Sequence, residues 1–213
     1  EATANDTYEL VWWFRYPVAA NTFAGIAVGD LDNNGVVEIV TTMPSVADDA
    51  TPNPPRLWVL EWNGVKGENK YGDYSTGELL PTTEWNFDVP DKTDFRPYSL
   101  YIEDMDKDGK NELVVGVRTG GRGDEVMVVS VEGEFTGFPM WVIEYNRQNL
   151  TGGGMYNATI GDLDNDGNKE IYVMVWNMFQ LYFVECTGPD TYEMVDSLMN
   201  ITTDAGIDEG ALE

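Results

Sequence analysis

Three stretches of the chain concentrate oxygen donors at one fixed spacing: Asp30-Leu-Asp-Asn-Asn-Gly-Val-Val-Glu38, Asp104-Met-Asp-Lys-Asp-Gly-Lys-Asn-Glu112 and Asp162-Leu-Asp-Asn-Asp-Gly-Asn-Lys-Glu170. They align without gaps as DxDx[DN]GxxE. In the second, carboxylates fall at positions 1, 3, 5 and 9 (Asp104, Asp106, Asp108, Glu112). Gly109 at position 6 allows a sharp turn with positive φ, and Lys110 at position 7 has only its carbonyl to offer. The same places are filled by Asp162, Asp164, Asp166, Asn168 (carbonyl) and Glu170, and by Asp30, Asp32, Asn34, Val36 (carbonyl) and Glu38. Carboxylates gathered this closely repel one another unless a divalent cation sits among them. A set of hard oxygen ligands, about 6 to 8 in a flexible ring, suits Ca²⁺ better than the smaller, stricter Mg²⁺. The expectation is about three Ca²⁺ ions, one per loop, with the first held more weakly because Asn34 is neutral. The competing reading is an Asx-rich turn without metal, since Asp, Asn and Gly form turns anyway. Triplication with Glu kept at position 9 favours the ion.

An EF-hand shares the start of this spacing but needs a bidentate Glu at position 12 and flanking helices. Position 12 here is Thr41, Val115 or Val173, each in a strand-like run, so that arrangement is set aside. The residue between the first two ligands is apolar each time (Leu31, Met105, Leu163), which predicts a side chain anchored inward.

The whole-chain charge agrees with a cation-binding role. Twelve Lys+Arg against 38 Asp+Glu give a formal charge of −26, with no histidine. Such a field repels phosphate backbones and anionic lipid, so nucleic acid is excluded as a partner. Without His there is no Ser-His-Asp or Cys-His relay and no imidazole zinc site. Only eleven of the 38 acidic residues lie in the three loops, and the rest are expected on a solvated surface. Cys186 is the single cysteine, so no intrachain disulfide can form. The longest apolar stretch, Ile171 to Val184, is shorter than the roughly 20 residues a membrane helix needs and contains Asn177 and Gln180, so no membrane span is expected. The absence of a basic-then-apolar leader after Glu1 suggests a processed product or an excised piece.

The loops must be positioned by strands. An alternating segment precedes each (Phe23 to Gly29, Pro97 to Glu103, Tyr156 to Gly161) and a β-rich one follows (Val37 to Met43, Glu112 to Arg118, Glu170 to Trp176). Two further strand-like runs complete each unit: Arg56 to Trp62 and Glu84 to Val89, Glu125 to Val131 and Met140 to Tyr145, Phe179 to Cys186 and Thr191 to Ser197. No window holds an amphipathic helical pattern for three turns. The fold class read from this is all-β: three four-stranded antiparallel repeats of β-propeller blade type, forming part of a larger propeller. Residues 1–22 hold an orphan strand at Tyr8 to Tyr16, 23–95 the first blade with inserts at Pro44 to Pro55 and Gly64 to Gly77, 96–153 the second, 154–205 the third, and 206–213 a lead-in to another blade.

With these residues in view, the run from Phe23 through Asp30, Asp32 and Glu38 to Pro44 resembles the FG-GAP repeat, also called the VCBS repeat, of integrin α-subunit propellers and many secreted bacterial proteins. The resemblance covers about residues 23 to 200. Glu103 departs from the usual Gly, and none of the copies carries the full Gly-Ala-Pro ending, which places the chain closer to the bacterial branch. The resemblance implies a calcium-stabilised propeller of seven or eight blades, located outside the cytoplasm and displaying loops for a protein or carbohydrate ligand. Further blades from the same or another chain are implied partners.

Weaker signals have plainer explanations. Arg122-Gly123-Asp124 lies in a glycine-rich hairpin. Trp58, Trp62, Trp141 and Trp176 read as blade core, whereas adjacent Trp12 and Trp13 leave one ring exposed. Asn5, Asn149, Asn157 and Asn200 begin Asn-x-Thr sequons, which carry glycans only in a host that glycosylates exported proteins. Two functions remain: a non-enzymatic binding, adhesion or assembly module, and a calcium-dependent, lyase-like piece of a polysaccharide-degrading enzyme. The second needs a base at a cleft, and Lys66, Lys70, Arg118, Arg122 and Arg147 form no cluster in sequence.

Overall fold

The computed structural model describes residues 2–3, 7–14, 25–43, 56–86, 95–119, 124–137, 139–150, 155–175 and 180–198. They form strands and irregular connections with no helix. In chain order the strands are β1 (Ala2–Thr3), β2 (Thr7–Tyr8), β3 (Ile26–Gly29), β4 (Glu38–Met43), β5 (Arg56–Glu61), β6 (Thr83–Asn86), β7 (Phe95–Glu103), β8 (Glu112–Thr119), β9 (Asp124–Glu132), β10 (Met140–Leu150), β11 (Met155–Gly161), β12 (Glu170–Val175), β13 (Gln180–Gly188) and β14 (Thr191–Leu198).

From β3 onward they make three four-stranded antiparallel meanders, β3-β4-β5-β6, β7-β8-β9-β10 and β11-β12-β13-β14. The register repeats as well. Gly29 pairs with Glu38, Glu103 with Glu112 and Gly161 with Glu170, so each acidic loop closes the first hairpin of its sheet. The β-branched and apolar composition of these runs suits a pleated, packed surface.

Packing follows from the two-residue period of a strand. Ala27, Val40, Leu57 and Val59 of the first sheet meet Leu113, Val115, Met127 and Val129 of the second in one core. The intervening residues Val114, Val126 and Val128 point the other way and pack with Ala158, Ile171, Val173 and Val184 of the third sheet. The middle sheet is thus covered on both faces, which is why Leu113 to Val117 are buried without a break. Among the described residues the third sheet is covered on one face, and β12 shows the alternation expected of it. First strands lie close together. A Cβ on Gly29 would stand 2.8 Å from Ile102 Cγ2, and one on Gly25 2.9 Å from the Leu100 nitrogen, so only glycine lets β3 approach β7.

The strand expected over Tyr8 to Tyr16 is limited to Thr7–Tyr8, paired with β1; residues 9–14 are irregular, and Arg15 and Tyr16 lie outside the described residues. Aromatic contacts hold this stretch instead. Trp12 packs on Phe14 and Tyr71, with ring centroids 5.3 and 5.1 Å apart, and its Nε1 donates to the Tyr74 hydroxyl at 3.2 Å. Trp13 is the exposed ring of the pair. The Gly64 to Gly77 insert is structured: isolated bridges join Trp62 to Tyr71 and Asp73 to Leu80. Strand β10 runs to Leu150, beyond the expected end at Tyr145, with bulges that a continuous count does not reveal. Trp58 is buried, and Trp141 stacks on Trp85 at 5.1 Å. Trp176, the insert at Pro44 to Pro55, Arg122, Gly123, Asn5, Asn200 and residues 206–213 fall outside the described residues. Among the described residues no helix is long and apolar enough to cross a membrane.

Candidate metal centre

Each loop turns through two residues with positive φ. At position 4 these are Asn33 (60°), Lys107 (64°) and Asn165 (61°), and at position 6 Gly35 (87°), Gly109 (90°) and Gly167 (96°). Asn tolerates the left-handed region better than most residues, and glycine has no Cβ to strain. Sequence reading singled out the glycine and missed position 4, although two of its three occupants are Asn.

That turn aims backbone N–H groups inward. At position 1, one carboxylate oxygen accepts the position-6 amide: Gly35 to Asp30 Oδ2 at 2.9 Å, Gly109 to Asp104 Oδ2 at 3.2 Å, Gly167 to Asp162 Oδ2 at 3.1 Å. At position 9, one oxygen accepts the position-2 amide: Leu31 to Glu38 Oε2 at 2.7 Å, Met105 to Glu112 Oε2 at 2.7 Å, Leu163 to Glu170 Oε2 at 2.9 Å. Position 3 accepts from position 5, as in Asp108 N to Asp106 Oδ1 at 3.0 Å, and position 5 accepts from position 7, as in Lys110 N to Asp108 Oδ1 at 2.7 Å.

The remaining oxygens show what the loop lacks. Asp30 Oδ1, Glu38 Oε1, Asp104 Oδ1 and Glu170 Oε1 are buried and have no hydrogen-bond partner. One oxygen of each carboxylate is tied to the turn and the other is left without a donor. Such atoms are costly unless something positive meets them. Ligand atoms of Asp162, Asp164, Asp166 and Glu170 lie within 4.8 Å of one another, as do those of Asp30, Asp32 and Glu38, and those of Asp104, Asp106 and Asp108. Glu112 stands outside the second group. The donor chemistry therefore fits a hard divalent cation in all three loops, most fully in the third.

Electrostatics point the same way. Burial pushes Glu38 up to about 8, with Asp32, Asp30 and Glu61 adding repulsion against the bond from Leu31. Burial likewise pushes Glu112 up to about 8, with Glu144, Asp106 and Asp108 adding to it. Asp32 is also raised, chiefly by burial. A cation would reverse these trends by favouring the ionised form. Two acids that spacing did not reveal lie nearby on the third strands. Glu61 pairs with Glu38 across the first sheet and has one buried oxygen without a partner, while Glu185 pairs with Glu170 and accepts from Asn168 Nδ2 at 3.3 Å. Each ends a run of apolar residues, where it reads as an ordinary strand terminus.

Successive loops are also joined. Position 8 of one unit reaches the position-1 carbonyl of the unit before it: Asn111 Nδ2 donates to Asp30 O at 2.7 Å, and Lys169 Nζ to Asp104 O at 2.7 Å. The outer hairpin of one sheet donates to position 3 of the preceding loop: Phe135 N to Asp32 Oδ2 at 2.7 Å, Asp190 N to Asp106 Oδ2 at 2.9 Å. Lys169 further pairs with Glu103, and Lys107 donates to the Gly167 carbonyl.

A family model for the FG-GAP-like repeat matches residues 104–173, from the first ligand of the second loop into β12. Over this stretch the chain is similar to an FG-GAP-like repeat. Its match takes in the second and third acidic loops, and the first loop shares their ligand pattern, register and turn conformation. The comparison with curated proteins gave no match. The three four-stranded antiparallel sheets are consistent with blades of a propeller-type module. The inward anchoring expected at position 2 holds for Leu31 and Met105, which are 0% and 1% exposed, and fails for Leu163, which is 71% exposed. No following sheet lies over Leu163 among the described residues.

Proposed function

We propose that the chain is a calcium-binding module of propeller type that works outside the cytoplasm in binding, adhesion or assembly. The observation that carries this reading is the set of buried, partnerless oxygens on Asp30, Glu38, Asp104 and Glu170, each on a carboxylate whose other oxygen is fixed by the loop. Asp30, Asp32, Asn34, Val36 and Glu38 would hold the first ion. Asp104, Asp106, Asp108, Lys110 and Glu112 would hold the second, and Asp162, Asp164, Asp166, Asn168 and Glu170 the third. Val36, Lys110 and Asn168 would do so through their carbonyls. A bound ion would supply positive charge at the centre of each turn and rigidify the hairpin that carries it; no reaction is asked of it. The reading would suit an extracellular setting, where calcium modules work at about 10⁻⁴ to 10⁻³ M ion.

Thermal melts of the full chain with Ca²⁺, Mg²⁺ or EGTA test it. Calcium should raise the Tm, by an amount equivalent to about 2.7 kcal/mol per site at a hundredfold excess over Kd, and EGTA should remove the gain while Mg²⁺ substitutes poorly. Identical melts in calcium and EGTA, with no calcium uptake by calorimetry, defeat the proposal.

A further inference from the structure

The position-9 carboxylate of the third loop is held differently from the other two. Glu170 Oε2 accepts from the Leu163 amide at 2.9 Å, as its counterparts accept from Leu31 and Met105, but it also accepts from the Tyr172 hydroxyl. An ionised carboxylate offers only acceptors, so the phenol is the donor. Tyr172 lies two residues further along, in β12, and its ring is fixed from the side. Phe183, its partner in β13, meets it edge-on, with centroids 5.3 Å apart and planes at 89°. The first two loops have Val40 and Val114 at that place, which carry no side-chain donor.

Two donors on one oxygen fix both the place and the plane of a carboxylate, where a single donor leaves it free to pivot. The other oxygen, Glu170 Oε1, is buried without a hydrogen-bond partner, on a residue only 5% exposed. Among the described residues, the third loop is also the one whose four carboxylates come within 4.8 Å of one another. Glu112, with Val114 beside it, stands outside the group of its own loop. We infer that Tyr172 is a positioning residue of the third cation site: with the Leu163 amide it locks Glu170 so that Oε1 faces the ion, and this makes the third loop the tightest of the three for Ca²⁺. The inference rests on the cation reading proposed above. Tyr172 touches no ion; it acts by holding a ligand in place before the ion arrives, so that less ordering remains to be done on binding.

Calorimetric calcium titration of the full chain, with melts in calcium and in EGTA, tests the inference. The wild type should bind one ion more tightly than the others, and Asp164→Asn should weaken that ion alone. Tyr172→Phe keeps the ring and removes the hydroxyl. It should weaken the same ion by about 10–100-fold, leave the others unchanged, and shrink the Tm gain that calcium brings. A hydroxyl with a merely structural role would lower the melts in EGTA and in calcium alike and leave every Kd where it was, and that result overturns the inference. So does a tightest ion that survives Asp164→Asn. Either outcome leaves calcium uptake itself intact, whereas a wild-type chain that takes up no calcium defeats the cation reading and this inference together.

Discussion

Leu31 and Leu163 occupy the same place in loops with the same backbone turn, yet one is sealed and the other lies in solvent. The difference is not local. Around Leu31 the second sheet supplies Val131 and Phe135 as cover, Phe135 N as a donor to Asp32, and Asn111 as a donor to the Asp30 carbonyl. Around Leu163 the described residues provide no such sheet, although the third loop gathers four carboxylates where the first gathers three. Ligand geometry is thus written within nine residues, while burial of the loop is conferred by the next unit. A loop of this type is a joint between sheets as well as a cluster of oxygens that could hold a cation.

The largest effects should come from removing the apolar anchors. Leu31→Ala empties a fully buried site and should cost about 2–5 kcal/mol, with Met105→Ala close behind, measured by urea denaturation. Leu163→Ala at an exposed site should fall within about 0.5 kcal/mol of wild type. Equal losses at Leu31 and Leu163 would mean that the contrast between covered and open loops is mistaken.

The buried acids come next, and their sign depends on the ion. Glu38 and Glu112 have folded pKa values near 8 against 4.5 when unperturbed, so without metal the folded state holds protons that the unfolded state has released. Their contribution to stability is fully present below about 4.5 and is lost as pH rises through about 8. In EGTA the Tm should therefore decline from pH 5 to 9 on account of these two groups. In saturating calcium the ionised carboxylates are the ones that bind, and the decline should disappear or invert. Glu38→Gln sharpens the same point. Gln keeps the volume and is neutral without taking up a proton, so above about pH 4.5 it should raise the Tm in EGTA, and it should lower it in calcium. A variant less stable in both conditions would show that Glu38 is held by something other than an ion.

Much of this was legible in the sequence. Repetition exposed the three hairpins, since DxDx[DN]GxxE fixes both the turn and the register between Gly29 and Glu38, Glu103 and Glu112, and Gly161 and Glu170. Alternation located the strands, because one face of each must be buried. What stayed hidden depends on contacts between units. Nothing near Asp32 in sequence points to Phe135, and Lys169 reads as one more surface charge until the third sheet brings it to Asp104. Glu61 and Glu185 were invisible for the same reason: their nearness to Glu38 and Glu170 comes from strand pairing, not spacing. Local rules also placed Leu163 inside, because they cannot tell whether a neighbour will cover it.

The smallest effect tests the joint itself. Asn111 and Lys169 hold the same repeat position and cap the same carbonyl of the preceding loop, one as a neutral amide and the other as a charged amine that also pairs with Glu103. A neutral hydrogen bond of this kind is worth about 0.5–1.5 kcal/mol net. The added pairing contributes little beyond that, since the Glu103 side chain is half exposed and pairs in such settings give about 0–1 kcal/mol. Asn111→Ala should therefore cost about 1 kcal/mol in urea melts, and Lys169→Ala, which loses a bond from a charged donor, about 1.5–3 kcal/mol. Only the Lys169 variant should show a loss that shrinks as salt rises, because screening weakens the pair with Glu103 and leaves the amide's bond alone. Matching salt dependence in both would show that charge is not what distinguishes the two joints.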